Sequence, residues 1–431
     1  MTSPRRFEQD LSALLADLYL AGTPDYRDDL VRQVDRVRQR PAWTFPERWL
    51  PMDLVTKAAP NAPRVPWRTL GVLGLLAALL ATAVAMYVGS QQRLPEPFGL
   101  AANGLIAYDT AGDILVREST TGPARELIGG DTDDHDPWFT PDGTRLTFVR
   151  TIGEQNFLMV ADAHGDGIRK VLDAPLIEPR AAYAPDSRTL ALVNEIKGSP
   201  SLAIISLDGG APVEIDLDGV VPTDLAWRPP DGGELLIRGV NEDQTVDFFI
   251  VSADGSGLHP LGLSPHKNFG PTWDNSGPAW FPDGSRIAYN VVETGNVANG
   301  GYWRIHTVRA DGKDDRALPA LSDRSIQENW PTVSPDGKSI LVHRWKWDTA
   351  ENGWLAVMPA DGSAVARDIG PKVRGGVDTS LIKAWSPDAS TVLLRAGNTG
   401  QSWSIDPVTG EYIELAWETN ALPDWQRKAI P

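Results

Sequence analysis

The sequence predicts an all-β, seven-bladed β-propeller preceded by a short α-helical segment and one transmembrane helix. Three observations carry this. A turn pattern centred on Pro-Asp recurs six times between residues 138 and 389. A run of 19 residues, 70–88, contains neither a charge nor a proline. Charge is unevenly shared: residues 1–68 hold 11 Lys/Arg against 9 Asp/Glu, while the rest of the chain holds 29 against 48, within a net charge of −17.

In chain order, residues 1–40 read as two short helices. Phe7, Leu11, Leu14, Leu15 and Leu18 recur at helical spacing over about 6–20. Thr23, Pro24 and Asp25 then supply an N-cap, a proline at the first helical position and a first-turn acid. The second helix carries Leu30, Val34 and Val37 on one face, and Arg32, Asp35, Arg36, Arg38 and Arg40 on the other. Two helices this short bury little apolar surface alone, so they pair as a hairpin or fold against a partner. Residues 41–68 form a juxtamembrane linker, with six prolines between 41 and 66 and the aromatics Trp43, Phe45 and Trp49.

Residues 69–88 are the predicted membrane anchor, with Leu70 and Val88 bounding the uncharged run. At a rise of about 1.5 Å per residue that run measures roughly 28 Å, the hydrocarbon thickness of a bilayer. Trp67, Tyr87, Arg68 and Arg93 stand where interfacial aromatics and charges belong. Lys57, Arg64 and Arg68 before the run outweigh Arg93 after it, so the N-terminus is expected in the cytoplasm and residues 101–431 outside, beyond a linker at 89–100. Sixty-eight residues precede the anchor, which fits an uncleaved signal anchor better than a cleaved signal peptide. The expected location is therefore the plasma (inner) membrane, single-pass.

The repeats place their turn aspartates at Asp142, Asp186, Asp231, Asp283, Asp336 and Asp388. Each follows a proline and precedes a short apolar strand: 146–149, 190–193, 235–237, 287–289, 340–342 and 392–394. Proline presets φ, aspartate tolerates the next turn position, and the following residue (Gly in four copies) takes positive φ. A second hairpin signal follows at Asp208-Gly209, Asp254-Gly255, Asp311-Gly312, Asp361-Gly362 and Thr409-Gly410. Two hairpins per repeat make a four-stranded sheet, one propeller blade. Residues 104–108 read as a second strand without a preceding turn, whereas Leu422, Pro423, Asp424 and Trp425 echo a first strand. Sharing one blade between the two ends gives seven blades; six or eight stay open.

The pattern resembles the TolB-type repeat, a relative of the Trp-Asp repeat, over about residues 100–428. The resemblance implies a propeller fold and says little about activity. The layout of helical tail, single span and outer domain is similar to that of bacterial anti-sigma and transmembrane sensor proteins. That likeness implies an envelope protein partner for the propeller and a cytoplasmic regulator such as a sigma factor for the tail.

Chemistry is sparse. With no cysteine there is neither a disulfide framework nor a zinc-thiolate site, so the zinc motif of many anti-sigma domains is absent. There is no Gly-x-Ser-x-Gly elbow, P-loop or dinucleotide fingerprint, so no catalytic residues are assigned. An acidic propeller disfavours nucleic acid as its ligand. Asp162, Asp166 and Asp173 partly match a calcium loop, and the stretch Asp131 to Asp136 reads as an acidic loop near the channel. The expected function is binding: a sensor or scaffold propeller signalling through the tail, or else an envelope propeller that binds or cleaves carbohydrate.

Overall fold

The computed structural model describes residues 67–90, 94–177, 180–196, 199–263, 277–293, 301–346, 353–373, 382–396 and 400–430. The helices expected at 6–20 and 24–40, and most of the linker expected at 41–68, lie outside the described residues. The chain divides into two units, Met1–Gln91 and Gln92–Pro431.

In the first unit one helix, α1 (Trp67–Ser90), runs for 24 residues. Its side chains are described over 71–82, about 18 Å of helix. There Val72, Leu73, Leu75, Leu76, Leu79 and Leu80 are all 55–67% exposed. The hydroxyl of Thr82 is satisfied within the helix, donating to the Ala78 carbonyl at 2.6 Å. Among the described residues no helix is long and apolar enough to cross a membrane. The side chains of Leu70 and Val88, the expected ends of the anchor, fall outside that stretch.

The second unit is seven four-stranded antiparallel sheets. Blade 1 contains β1 (Ala102–Thr110), β2 (Asp113–Arg117) and β3 (Arg125–Ile128). Blade 2 is β4 (Asp133–Phe139), β5 (Arg145–Ile152), β6 (Gln155–Asp162) and β7 (Arg169–Lys170). Blade 3 is β8 (Arg180–Tyr183), β9 (Thr189–Ile196), β10 (Ser199–Ser206) and β11 (Val213–Ile215); blade 4 is β12 (Val221–Trp227), β13 (Glu234–Val240), β14 (Val246–Ser252) and β15 (His259–Pro260). Blade 5 is β16 (Ala279–Trp280), β17 (Arg286–Glu293), β18 (Tyr302–Arg309) and β19 (Arg316–Ala317). Blade 6 is β20 (Ile326–Val333), β21 (Ser339–Lys346), β22 (Gly353–Pro359) and β23 (Arg367–Val373). Blade 7 is β24 (Ile382–Trp385), β25 (Val392–Arg395), β26 (Ser402–Ile405) and β27 (Tyr412–Glu414). The last strand, β28 (Asp424–Lys428), returns to blade 1 and pairs with β1.

First strands of neighbouring blades touch, β28 with β4, β8 with β12 and β16 with β20, so they ring the axis. The hydrophobic core lies between blades. One cluster joins Ala107, Ile114 and Val116 of blade 1 to Phe139, Leu146 and Phe148 of blade 2. Another joins Val193 and Leu202 of blade 3 to Trp227, Leu235 and Phe249 of blade 4. The aromatic at the end of the first strand also straps blades together. The indole N–H of Trp227 donates to the Ala182 carbonyl of blade 3 at 2.9 Å, and Trp280 and Trp385 reach back one blade to Ala226 and Thr332 at 3.4 Å.

The Pro-Asp turns lie together on one face of the ring, the turn face. The hairpins between second and third strands, and the connections between blades, lie on the other, the loop face. At the turn position after the aspartate, Gly143, Gly232, Gly284 and Gly337 have φ of 67–70°; Ser187 and Ala389 hold φ of 58° and 60° in the two copies without glycine.

Closure rests on β28. Asp424, Trp425 and Arg427 pair with Ala107, Ile106 and Asn103 of β1. The Gln426 amide takes the Leu105 N–H on its oxygen at 3.2 Å and donates to the Gly143 carbonyl at 2.7 Å, tying blade 1 to the blade 2 turn. A Cβ at Gly143 would collide with the Arg427 carbonyl. The Asp424 carboxylate accepts the Phe139 N–H at 2.7 Å.

The chain reaches the propeller across the turn face. Arg427 donates to the carbonyls of Glu96 and Gly99 at 2.9 and 2.8 Å, and Ala101 N–H donates to Pro387 of the blade 7 turn at 3.0 Å.

Two outcomes follow for the closure. Deleting residues 421–431 removes strand β28 and is expected to lower the melting temperature sharply; an unchanged melt would contradict closure by this strand. Burial pushes the Asp424 carboxyl up to about 7, against hydrogen bonds from Phe139 and Trp425 and the charge of Arg427 that pull it down. A carboxyl raised in the fold binds its proton more tightly there than unfolded, so its contribution is full below about pH 4 and is lost as pH rises to about 7. In thermal melts, Asp424→Asn is expected to lose less stability than the parent between pH 5 and 8; parallel profiles would refute it.

Candidate interaction face

Polar chemistry is concentrated at the loop end of the strands. The Asp, Glu and Arg residues with least exposure lie there, Asp109, Asp134, Arg238, Arg304, Glu328, Arg344 and Arg395, while the Asp424 carboxyl is desolvated at the closing seam. At the turn end the buried hydroxyls of Thr140, Ser187, Ser334 and Ser386 serve the turns themselves, and the buried Gln426 amide ties the closing strand to the blade 2 turn.

Two blades repeat one device. In blade 2, Asp134 faces Arg150 across β4 and β5, and the two form a bidentate pair at 2.6 and 2.8 Å with the carboxylate fully buried. In blade 6, Glu328 faces Arg344 across β20 and β21 with contacts of 2.9 and 2.6 Å, and Arg344 also reaches Asp368 at 2.6 Å. Each acid is followed by a bulge whose second residue has positive φ, Asp136 at 51° and Trp330 at 49°, and then by a proline, Pro137 or Pro331. Around the bulges His135 bonds Asp136 at 2.8 Å, and His343, on the facing strand, bonds Asn329 at 3.2 Å while stacking on Trp330. The hydrogen bond that its ring donates to Asp136 holds the His135 imidazole above its ordinary range, against desolvation.

The same end carries the closing seam. Asp109, at the end of β1, accepts Thr419 Oγ1 at 3.1 Å and the Ala421 N–H at 2.9 Å, and Arg395 donates to the Thr419 carbonyl at 2.8 Å. Burial pushes the Asp109 carboxyl up and the Arg395 guanidinium down. In blade 4, Arg238 is fully buried and donates to Thr223 Oγ1 at 3.0 Å.

The residues singled out from the sequence fall elsewhere. Asp142, Asp186, Asp231, Asp283, Asp336 and Asp388 stand on the turn face, each accepting the backbone N–H two residues on, at 2.9–3.5 Å. Asp162 accepts the N–H groups of His164 and Asp166 at 2.8 and 2.9 Å within its hairpin. Among the described residues no three His, Cys, Asp or Glu side chains are grouped so as to hold a metal ion, and Asp162, Asp166 and Asp173 are no exception. The stretch expected as an acidic loop differs: residues 133–136 lie in β4, and Asp134 is buried by its pairing with Arg150. Sequence reasoning missed this pair, although the signal was present. Both acids sit eight residues before a turn aspartate and both arginines eight after, the spacing that a hairpin centred on that aspartate brings together.

Fold and face together define a self-closed seven-bladed propeller with its polar groups gathered on one side. No family model matches the chain. It is 28% identical over 141 residues, 33% of its length, to the Tol-Pal system protein TolB of Anaeromyxobacter dehalogenans, and the same holds for that of Anaeromyxobacter sp. strain K. The match spans only 29% of the length of these curated relatives. Among solved structures, tricorn protease superposes with a TM-score of 0.53 at 12% identity, over 78% of this chain and 36% of that one. TolB from Acinetobacter baumannii gives 0.47 at 15%, over 76% and 81%. The propeller is similar to TolB, and its fold is shared with an enzyme, so fold alone does not separate binding from catalysis.

Replacing Arg150 with Gln strands the buried Asp134 carboxylate and is expected to cost about 3–5 kcal/mol in denaturant unfolding. Arg188→Gln, at an exposed arginine 4.0 Å from Asp208, should leave the unfolding midpoint nearly unchanged. Equal effects would remove Asp134 and Arg150 from the structural account.

Proposed function

We propose that the chain is a non-catalytic, membrane-anchored propeller that docks a protein partner of the cell envelope on its loop face. In this reading α1 is the single-pass anchor in the plasma membrane, residues 1–66 are cytoplasmic and the propeller is extracytoplasmic. The observation that carries it is the division of labour between faces. The turn face is occupied by the lead-in segment and its bonds to Arg427, Pro387 and the closing strand. The loop face carries the buried ion pairs, which hold bulges and side chains in fixed positions for recognition.

The likeness to TolB, a protein named for the Tol-Pal system, supports a binding role in the envelope. The exposed leucines of α1 support the anchor, because leaving that much apolar surface in water forfeits about 25 cal/mol per Å². The segment before α1, with its two expected helices and basic face, would engage a cytoplasmic regulator such as a sigma factor.

Site-specific photocrosslinking in the full chain in cells tests the reading. Probes at the exposed loop-face positions Glu154 and Asp243 should yield discrete crosslinked species, and probes at the turn-face positions Arg188 and Lys338 should not. Crosslinks confined to the turn face, or none from any position, would refute loop-face docking. A phosphatase fused after residue 431 should be active outside the cytoplasm, and one fused at residue 66 inactive; the reverse pattern would refute the topology.

A further inference from the structure

Beside the loop face, between the end of β17, the start of β18 and the connection from blade 5 to blade 6, lies a cavity of about 450 Å³. That is within the usual range for small-molecule sites. Its apolar wall is formed by Leu318, Leu321 and the ring of Tyr302, and its polar wall by Arg304, Arg324 and Glu293.

Charge in this wall is unbalanced. Arg304 is 4% exposed, and its guanidinium donates to the carbonyls of Trp303 at 2.9 Å, Ile326 at 3.1 Å and Leu321 at 3.4 Å. Its nearest carboxylate, Glu328, is 3.9 Å away and is already engaged by Arg344 at 2.6 Å. Two buried guanidiniums therefore share one buried carboxylate, and the other partner of Arg344, Asp368, is half-exposed. Burial pushes the Arg304 guanidinium below its ordinary range. Arg324 adds a second cation at the mouth; the two guanidinium carbons lie 4.3 Å and 4.9 Å from the Tyr302 ring centre. Among the described residues no carboxylate pairs with Arg324. Glu293 is turned to His306, 3.4 Å away.

A buried cation whose nearest carboxylate is shared with a second arginine, beside a half-apolar cavity, is an arrangement that an anion completes. We propose that this cavity binds a small organic carboxylate, its anionic end against Arg304 and Arg324 and its apolar body against Tyr302, Leu318 and Leu321. The assignment is independent of the docking face and of the membrane anchor.

The test is calorimetric titration of the full-length chain, in detergent, with phenylacetate as probe and 2-phenylethanol as its uncharged counterpart. Phenylacetate should bind saturably at one site and 2-phenylethanol at least tenfold more weakly, since only the carboxylate makes charge-assisted contacts with the guanidiniums. Arg324→Gln, at an exposed position, should weaken phenylacetate about tenfold, and Leu321→Trp, which fills the cavity, should abolish binding. Circular dichroism melts confirm that both variants fold. No saturable binding up to roughly 10 mM (an affinity weaker than about 3 kcal/mol), equal binding of the two probes, or unchanged binding in Arg324→Gln would each overturn the assignment.

Discussion

The pairing of β28 with β1 is the constraint on which the propeller depends. A ring of sheets closes only if its last strand completes its first blade, and here the five residues of β28 do that. The join uses more than ladder bonds. Trp425 packs with Ile106, Tyr108 and Trp417, Gln426 bridges two blades, and Asp424 caps the Phe139 N–H of the neighbouring blade. Arg427 then holds the segment that leads into β1, so both ends of the propeller meet at one seam.

Closure also sorts the chemistry. Turn aspartates and hydroxyls satisfy one another on the turn face, where the seam and the lead-in segment take up the surface. At the opposite end the strands carry charges into the interior, where ion pairing or fixed hydrogen bonds must offset the cost of burial. Asp134 with Arg150 and Glu328 with Arg344 meet that condition with bidentate or doubled contacts. Arg304 meets it only in part, since its nearest carboxylate is shared with Arg344 and main-chain carbonyls supply most of its partners.

Much of the fold was legible in the sequence because the repeat is local. Proline, aspartate and glycine impose a turn within four residues, and six such turns mark six blades; the echo of a first strand at Leu422 to Trp425 points to a seventh shared between the ends, which the strand pairing bears out. What escaped depends on pairing across space. The stretch around Asp134 reads as a solvated acidic loop until β5 brings Arg150 opposite it. The cavity at Tyr302 escaped for a similar reason: it needs the 318–325 connection laid over β18, and no turn or periodic signal in that connection reports its path. The turn aspartates, by contrast, bond groups two residues away, a distance that sequence reports directly.

Native-state hydrogen exchange at the seam is the most direct test of the central claim, that one shared blade holds the ring closed. The amides that link β1 to β28 should exchange only through global unfolding, with the same denaturant dependence as those of the buried second strands β5 and β13. Seam amides that exchange much faster than those strands, with little dependence on denaturant, would mean that the ring opens locally and stands without its last strand.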